Sequence, residues 1–304
     1  MQTERIIEQW IASAGREWKE STLRHFDGTM RRWFSQEPIE TWTWRDIAAW
    51  LNRMRSLSPR PAEKSLQNYL AVLSTFYAWC QLEGLREDNP VALLPTKKRA
   101  HVRREQKFVP SPDDLRQALA LASIGGRVLS TEDRAIISVL CCTGERVGAI
   151  ADLNRKDVHR VTNLIHFQHT KGDRPHDIPM IPALKTKLEA YLSGIPPGEG
   201  PLFPCRSNGT QAESTGRRRR DHIERLVRSV SRELGWAKRM DARGREATPH
   251  SIRRAVATAI TQSAGLRVAQ HTLGHASQST TEQAYAYDAP NMGRIATAIG
   301  QIFG

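Results

Sequence analysis

A mainly α-helical chain with one small antiparallel β-sheet, folded as two domains, is the class this sequence predicts. Three observations carry the prediction. Apolar residues recur at helical spacing through most of the 304 residues. A period of two is confined to residues 157–180, and a basic, proline-bounded stretch divides the chain.

Residues 1–95 read as helix throughout. After Ser21 and Thr22, the positions Leu23, Phe26, Met30, Trp33 and Phe34 share one helical face. Thr43 with Asp46 marks a helix start ahead of Ile47, Trp50, Leu51 and Met54. A wide stripe of Leu66, Tyr69, Leu70, Leu73, Phe76, Tyr77 and Cys80 ends at Gly84. Aromatic residues at this spacing usually pack into a core, so a small bundle is expected. Residues 96–110 then form a basic linker. In "LPTKKRAHVRREQKFVPSP", Lys97, Lys98, Arg99, Arg103, Arg104 and Lys107 lie between prolines. That composition suits either a solvated tether or contact with a phosphate backbone.

Residues 111–304 form the second domain. Ser111 with Asp114, and Ser130 with Asp133, are expected caps, the second opening a helix through Ile136, Ile137, Val139 and Leu140 to Gly144. In "VHRVTNLIHFQHTKGDRPHDIPM", Ile165 and Phe167 alternate with His166 and Gln168. Turn formers at Thr162-Asn163 and Gly172-Asp173 divide the stretch into three short antiparallel strands. Helices resume at Pro182, and Ile223, Leu226, Val227, Val230 and Leu234 form a stripe behind the run Arg217, Arg218, Arg219 and Arg220, a second basic segment expected, with the linker residues, to contact a phosphate backbone.

The formal net charge of +13 attracts polyanions. No apolar run is long enough to span a bilayer and no signal-peptide core opens the chain, so a cytoplasmic, nucleoid-associated protein without membrane contact is expected. The four cysteines, with Cys141 and Cys142 adjacent in an apolar run, have neither disulfide nor metal-ligand spacing and are expected to be reduced core residues. No glycine-rich loop ends in Gly-Lys-Ser/Thr, which argues against a P-loop nucleotide hydrolase.

Six positions in the second domain hold polar side chains that local structure does not require. Arg146 follows "CCTGE", Lys171 lies in the expected strand turn, His250 and Arg253 stand three apart in "TPHSIRRAVAT", His275 closes "HTLGH", and Tyr285 follows in "TTEQAYAY". Two guanidinium groups, an ammonium, two imidazoles and a phenol suit a phosphodiester. Its charge repels nucleophiles, and its transition state spreads further charge over the non-bridging oxygens. Arg146 and Arg253 would clamp those oxygens bidentately. A phenol of ordinary pKa about 10 needs a base or nearby positive charge before it attacks, a task for His250. Lys171 would protonate the leaving oxygen, and His275 would hydrogen-bond a phosphate oxygen. Neither a metal nor a cofactor is expected, the arginines standing in for a cation. Tyr287 is a second phenol, but residues i and i+2 of a helix lie roughly 200° apart, so only one of the pair can face a given site.

At these residues the chain resembles the tyrosine recombinase family, the phage integrases and Xer-like recombinases. "TGERVGAIADLNRKDV" is similar to the family's first arginine box, "HTKGDRPHDIPM" to its lysine hairpin, "TPHSIRRAVAT" to its His-x-x-Arg box and "LGHASQSTTEQAYAY" to its terminal histidine and tyrosine box. The resemblance implies a helical, SAM-like core-binding domain over 1–95 and an α+β catalytic domain over 111–304, without an arm-binding domain. It also implies a covalent 3′-phosphotyrosine on Tyr285, with Tyr287 a packing or hydrogen-bonding neighbour. The implied partners are double-stranded DNA with short inverted-repeat core sites and further copies of the chain. A homotetramer would form on DNA, from a monomer or weak oligomer when free. The chain departs from the family pattern at Ala149, where a glutamate is usual three residues after Arg146, and Glu145 is expected to point elsewhere. A DNA-binding protein that has lost its chemistry and a type IB topoisomerase are the alternatives. Met292, Ile295, Ile299 and Phe303 near the C-terminus are expected to dock on a neighbouring protomer.

Overall fold

The computed structural model describes residues 2–14, 18–94, 108–168, 175–195, 199–204, 216–236, 246–265, 296–297 and 299–300. The chain is mostly helical with small antiparallel sheets, as the sequence predicts, and it separates into two compact units, Met1–Arg103 and Arg104–Gly304.

The first unit is built from α1 (Gln2–Ala14), α2 (Glu20–Trp33), α3 (Trp44–Ser56) and α4 (Glu63–Leu82). Thr43 and Asp46 make the reciprocal capping box that opens α3, and Gly84 follows α4 at φ 67°. The predicted stripes turn inward: Met30, Phe34, Ile47, Trp50, Leu66, Leu73 and Phe76 are buried. Trp10 stacks on Phe26 with ring centroids 5.2 Å apart, and the Tyr77 hydroxyl donates to the Ile39 carbonyl at 2.8 Å. That bond satisfies a polar group which would otherwise be costly to bury.

In the second unit α5 (Pro112–Ala120) starts at the capping box of Ser111 and Asp114. A hairpin of β1 (Ser123–Ile124) and β2 (Arg127–Val128) follows. Helix α6 (Thr131–Thr143) is capped by the Ser130 hydroxyl, which accepts the Asp133 N–H. It ends at Gly144, whose left-handed φ of 63° suits glycine. Almost every residue of α6 is buried, because it touches α5, the short α7 (Val147–Ala151), α8 (Pro182–Leu192), α9 (Gly216–Glu233) and α10 (Pro249–Ala264).

The three predicted strands are β3 (Val158–His159), β4 (Leu164–Phe167) and β5 (His176–Pro179), antiparallel in that order. Asn163 makes the first turn at φ 54°. Ile165 faces Ile178 and Phe167 faces His176 across β4 and β5, so these four share the inner face. On the outer face His166 and Asp177 bond at 2.7 Å. Cys80, Cys141 and Cys142 are free and buried. No described helix is long and apolar enough to cross a membrane.

Ile299, 0% exposed in the single chain, belongs to the hydrophobic cluster of its own unit, and the other residues expected to dock on a neighbouring protomer, Met292, Ile295 and Phe303, lie outside the described residues.

Candidate active site

The site is assembled where α6 stops. The left-handed turn at Gly144 sends the chain out of the core helix, and the next two residues are Glu145 and Arg146, the latter serving as N-cap of α7. Helix α10 brings Arg253 to the same turn. Its Nη1 donates to the Gly144 carbonyl at 3.0 Å and stands 3.3 Å from Glu145 Oε2. Arg253 is only 4% exposed, so its charge requires these acceptors. His250 lies one turn earlier on α10 and is exposed. Arg146 is half-buried, and its Nη1 is buried with no hydrogen-bond partner among the described residues.

Glu145 joins these parts, which corrects the expectation that it points elsewhere. It is 0% exposed. Oε2 accepts the Arg146 N–H at 2.9 Å, and Oε1 lies 3.1 Å from His176 Nε2. Burial alone would raise its carboxyl. The bond from His176, the Arg253 charge and the Arg146 N–H together hold it below the ordinary carboxylate range instead. For Arg253 the directions are reversed: burial lowers the guanidinium, Glu145 raises it, the Arg146 charge lowers it, and the net shift is downward. Ala149, 7% exposed in α7, belongs to the apolar core.

His176 is the second residue that sequence reasoning missed. It opens β5 on the inner face with its ring stacked on Phe167 at 5.8 Å. The signal was available, because His176 has the same strand parity as the apolar Ile178. An inward histidine needs a polar partner, and here that partner is Glu145.

Of the predicted site residues the structure therefore brings Arg146 and Arg253 together around Glu145, with His250 on the same helix as Arg253. Lys171, His275, Tyr285 and Tyr287 lie outside the described residues, as do Lys97, Lys98, Arg99, Arg103, Arg104 and Lys107. The Arg217 and Arg218 side chains also lie outside them. Arg219 and Arg220 are engaged within the protein. Arg219 Nε donates to the Ala151 carbonyl at 2.6 Å, and Arg220 Nη2 pairs with Asp152 at 3.1 Å. Both meet the C-terminal end of α7, where the helix dipole favours cations. Among the described residues no group of three or more His, Cys, Asp or Glu side chains is placed to hold a metal ion.

The family model described as Phage integrase family matches residues 110–292, more than half of the chain. The chain belongs to the phage integrase family. This makes it a tyrosine recombinase, of a class of enzymes that cut and rejoin DNA. Tyrosine recombinase XerC of Rhodospirillum centenum is 29% identical over 227 residues, an alignment taking in 72% of this integrase and 60% of that relative. Tyrosine recombinase XerC of Chromobacterium violaceum is 30% identical over 239 residues, covering 77% and 73% of the two chains. Among solved structures, a lambda integrase dimer bound to a COC′ core site superposes with a TM-score of 0.64 at 21% identity, over 93% of this chain and 98% of that one. At this identity the likeness speaks for the fold.

Proposed function

We propose that this integrase is a site-specific recombinase that cleaves double-stranded DNA through Tyr285 and exchanges strands within a homotetramer assembled on short inverted-repeat core sites. One observation carries the reading. Among the described residues a buried nitrogen of Arg146 has no hydrogen-bond partner, beside a second, deeply buried arginine, so the turn at the end of α6 holds a strong donor that Glu145 and the Gly144 carbonyl do not satisfy. A non-bridging phosphate oxygen is an acceptor of the right charge.

In the proposed reaction His250 takes the proton of Tyr285, whose oxygen attacks phosphorus while the bond to the 5′-oxygen breaks. Lys171 gives that oxygen a proton, and His275 hydrogen-bonds a non-bridging oxygen. The product is a 3′-phosphotyrosine with a free 5′-hydroxyl. Attack by another strand's 5′-hydroxyl reverses the chemistry and completes the exchange. Since phosphoryl transfer depends mainly on positioning and charge, the two guanidinium groups would supply most of the stabilisation. Residues 1–95 and the basic linker are assigned to the DNA backbone, together with Arg217 and Arg218.

The experiment is incubation with supercoiled plasmid DNA followed by denaturing electrophoresis. Wild type and Tyr287→Phe are expected to give covalent protein–DNA adducts, and Tyr285→Phe to bind DNA without one. Adducts from Tyr285→Phe but not from Tyr287→Phe would move the nucleophile by two residues. A wild type that binds and forms none would leave a DNA-binding protein without chemistry. Progressive relaxation by a monomer would indicate a topoisomerase.

A further inference from the structure

Glu145 has no part in the bond changes above, although it is the fully buried charge at the centre of the site. Its two oxygens reach three separate elements: the backbone N–H of Arg146, the guanidinium of Arg253 on α10, and His176 at the start of β5, just after the β4–β5 connection in which Lys171 falls in sequence. Packing does not explain the charge. A carboxylate is expensive to bury, and an apolar side chain of the same size would fill the space at the end of α6 without that penalty. What a carboxylate adds is direction. Arg253 Nη1 sits between Glu145 Oε2 at 3.3 Å and the Gly144 carbonyl at 3.0 Å, two acceptors that fix how its planar fork is turned. The other oxygen ties the same carboxylate to His176, so a shift of the hairpin is passed to the arginine. Ala149 offers no carboxylate to share this work.

We infer that Glu145 is a positioning residue for DNA cleavage, holding Arg253, the Arg146 turn and the base of the lysine hairpin in one geometry, with His176 as its relay to the hairpin. This rests on the cleavage activity proposed above. It places a specific demand on variants, because a residue that acts through Arg253 loses its effect once Arg253 can no longer be aimed.

The test uses the full-length chain and a nicked duplex built on the sequence recovered from wild-type adducts on plasmid DNA. Single-turnover cleavage is followed across DNA concentrations for wild type, Glu145→Gln, Arg253→Lys and the double variant. For Glu145→Gln the rate at saturating DNA should fall about 10²-fold, the loss that a displacement of about 1 Å brings in an oriented site. The half-saturating DNA concentration should stay within about twofold of wild type. The double variant should be no slower than the slower single variant, since coupled residues are not additive. An unchanged rate at saturation, or penalties that multiply in the double variant, would overturn the inference while leaving the cleavage reading intact. A wild type that forms no adduct overturns both. Should Glu145→Gln fail to fold, His176→Ala is read in the same assay. A loss of about tenfold at saturation with unchanged half-saturation supports the relay, and a wild-type rate refutes it.

Discussion

Replacing Arg253 with alanine measures what the arginine does for the fold. Its side chain is 4% exposed and its partner Glu145 is 0% exposed, so the substitution leaves a carboxylate buried without its guanidinium. Removing one partner of such a pair costs about 3–5 kcal/mol. Glu145 keeps its bonds to His176 and to the Arg146 N–H, which places the expected loss at the lower end, about 3 kcal/mol. For a unit of this size each kcal/mol shifts the melting temperature by roughly 2–4 °C, giving a drop of about 6–12 °C. The assay is a thermal melt of the full chain at pH 7, followed by circular dichroism, beside Glu145→Gln and the double variant Arg253→Ala/Glu145→Gln. The double variant should recover about half of the drop, because the orphaned charge is gone. A double variant that melts at or below Arg253→Ala would refute the argument, since the cost would then come from lost packing.

Further outcomes follow from other parts of the molecule. Glu145 is held below the ordinary carboxylate range, so it contributes stability that is present above its unfolded value of about 4.3 and lost as pH falls through the lower folded value. Acid melts of Glu145→Gln should therefore lose stability less steeply below about pH 4.3 than wild type, and parallel curves would contradict this. Lys171→Ala should slow cleavage by about 10²–10⁴-fold, with recovery on a substrate whose bridging 5′-oxygen is sulfur. No recovery would assign the lysine to positioning. Phe76→Ala, at a fully buried position of the first unit, should cost about 3–5 kcal/mol in denaturant titrations, whereas less than 1 kcal/mol would mean the bundle collapses around the gap. DNA affinity should fall with salt at a log–log slope of roughly −0.9 per neutralised phosphate, and a flat plot would count against backbone contacts.

Much of the fold could be read before the structure because its signals are local. Thr43 with Asp46, Ser111 with Asp114 and Ser130 with Asp133 each satisfy backbone donors within three residues, so the helix starts are written in single tetrapeptides. The Gly144 stop and the Asn163 turn are equally short-range. The hairpin at residues 123–128 escaped notice because strands of two residues cannot display a period, although Gly125 and Gly126 at φ 56° and 76° form the kind of turn that such a pair makes. At the site, Arg146, His250 and Arg253 stood out by residue type. Glu145 did not, since a glutamate beside an arginine reads as a surface neighbour until the turn at Gly144 drives it inward. The charge run before Ile223 read as a DNA-facing surface, yet Arg219 is committed to a carbonyl 68 residues away in sequence. A contact of that range leaves no trace in spacing.

That last contact gives α7 an unexpected mechanical character. The helix is only five residues long, a strut of roughly 7.5 Å at 1.5 Å per residue. Arg146 caps one end, while Arg219 and Arg220 grip the carbonyl and carboxylate at the other. A strut so short has no slack in which to absorb a displacement. Any pull on the first turn of α9 therefore arrives at Arg146 nearly undiminished, and changes made to the basic run before Ile223 will also retune the aim of that arginine.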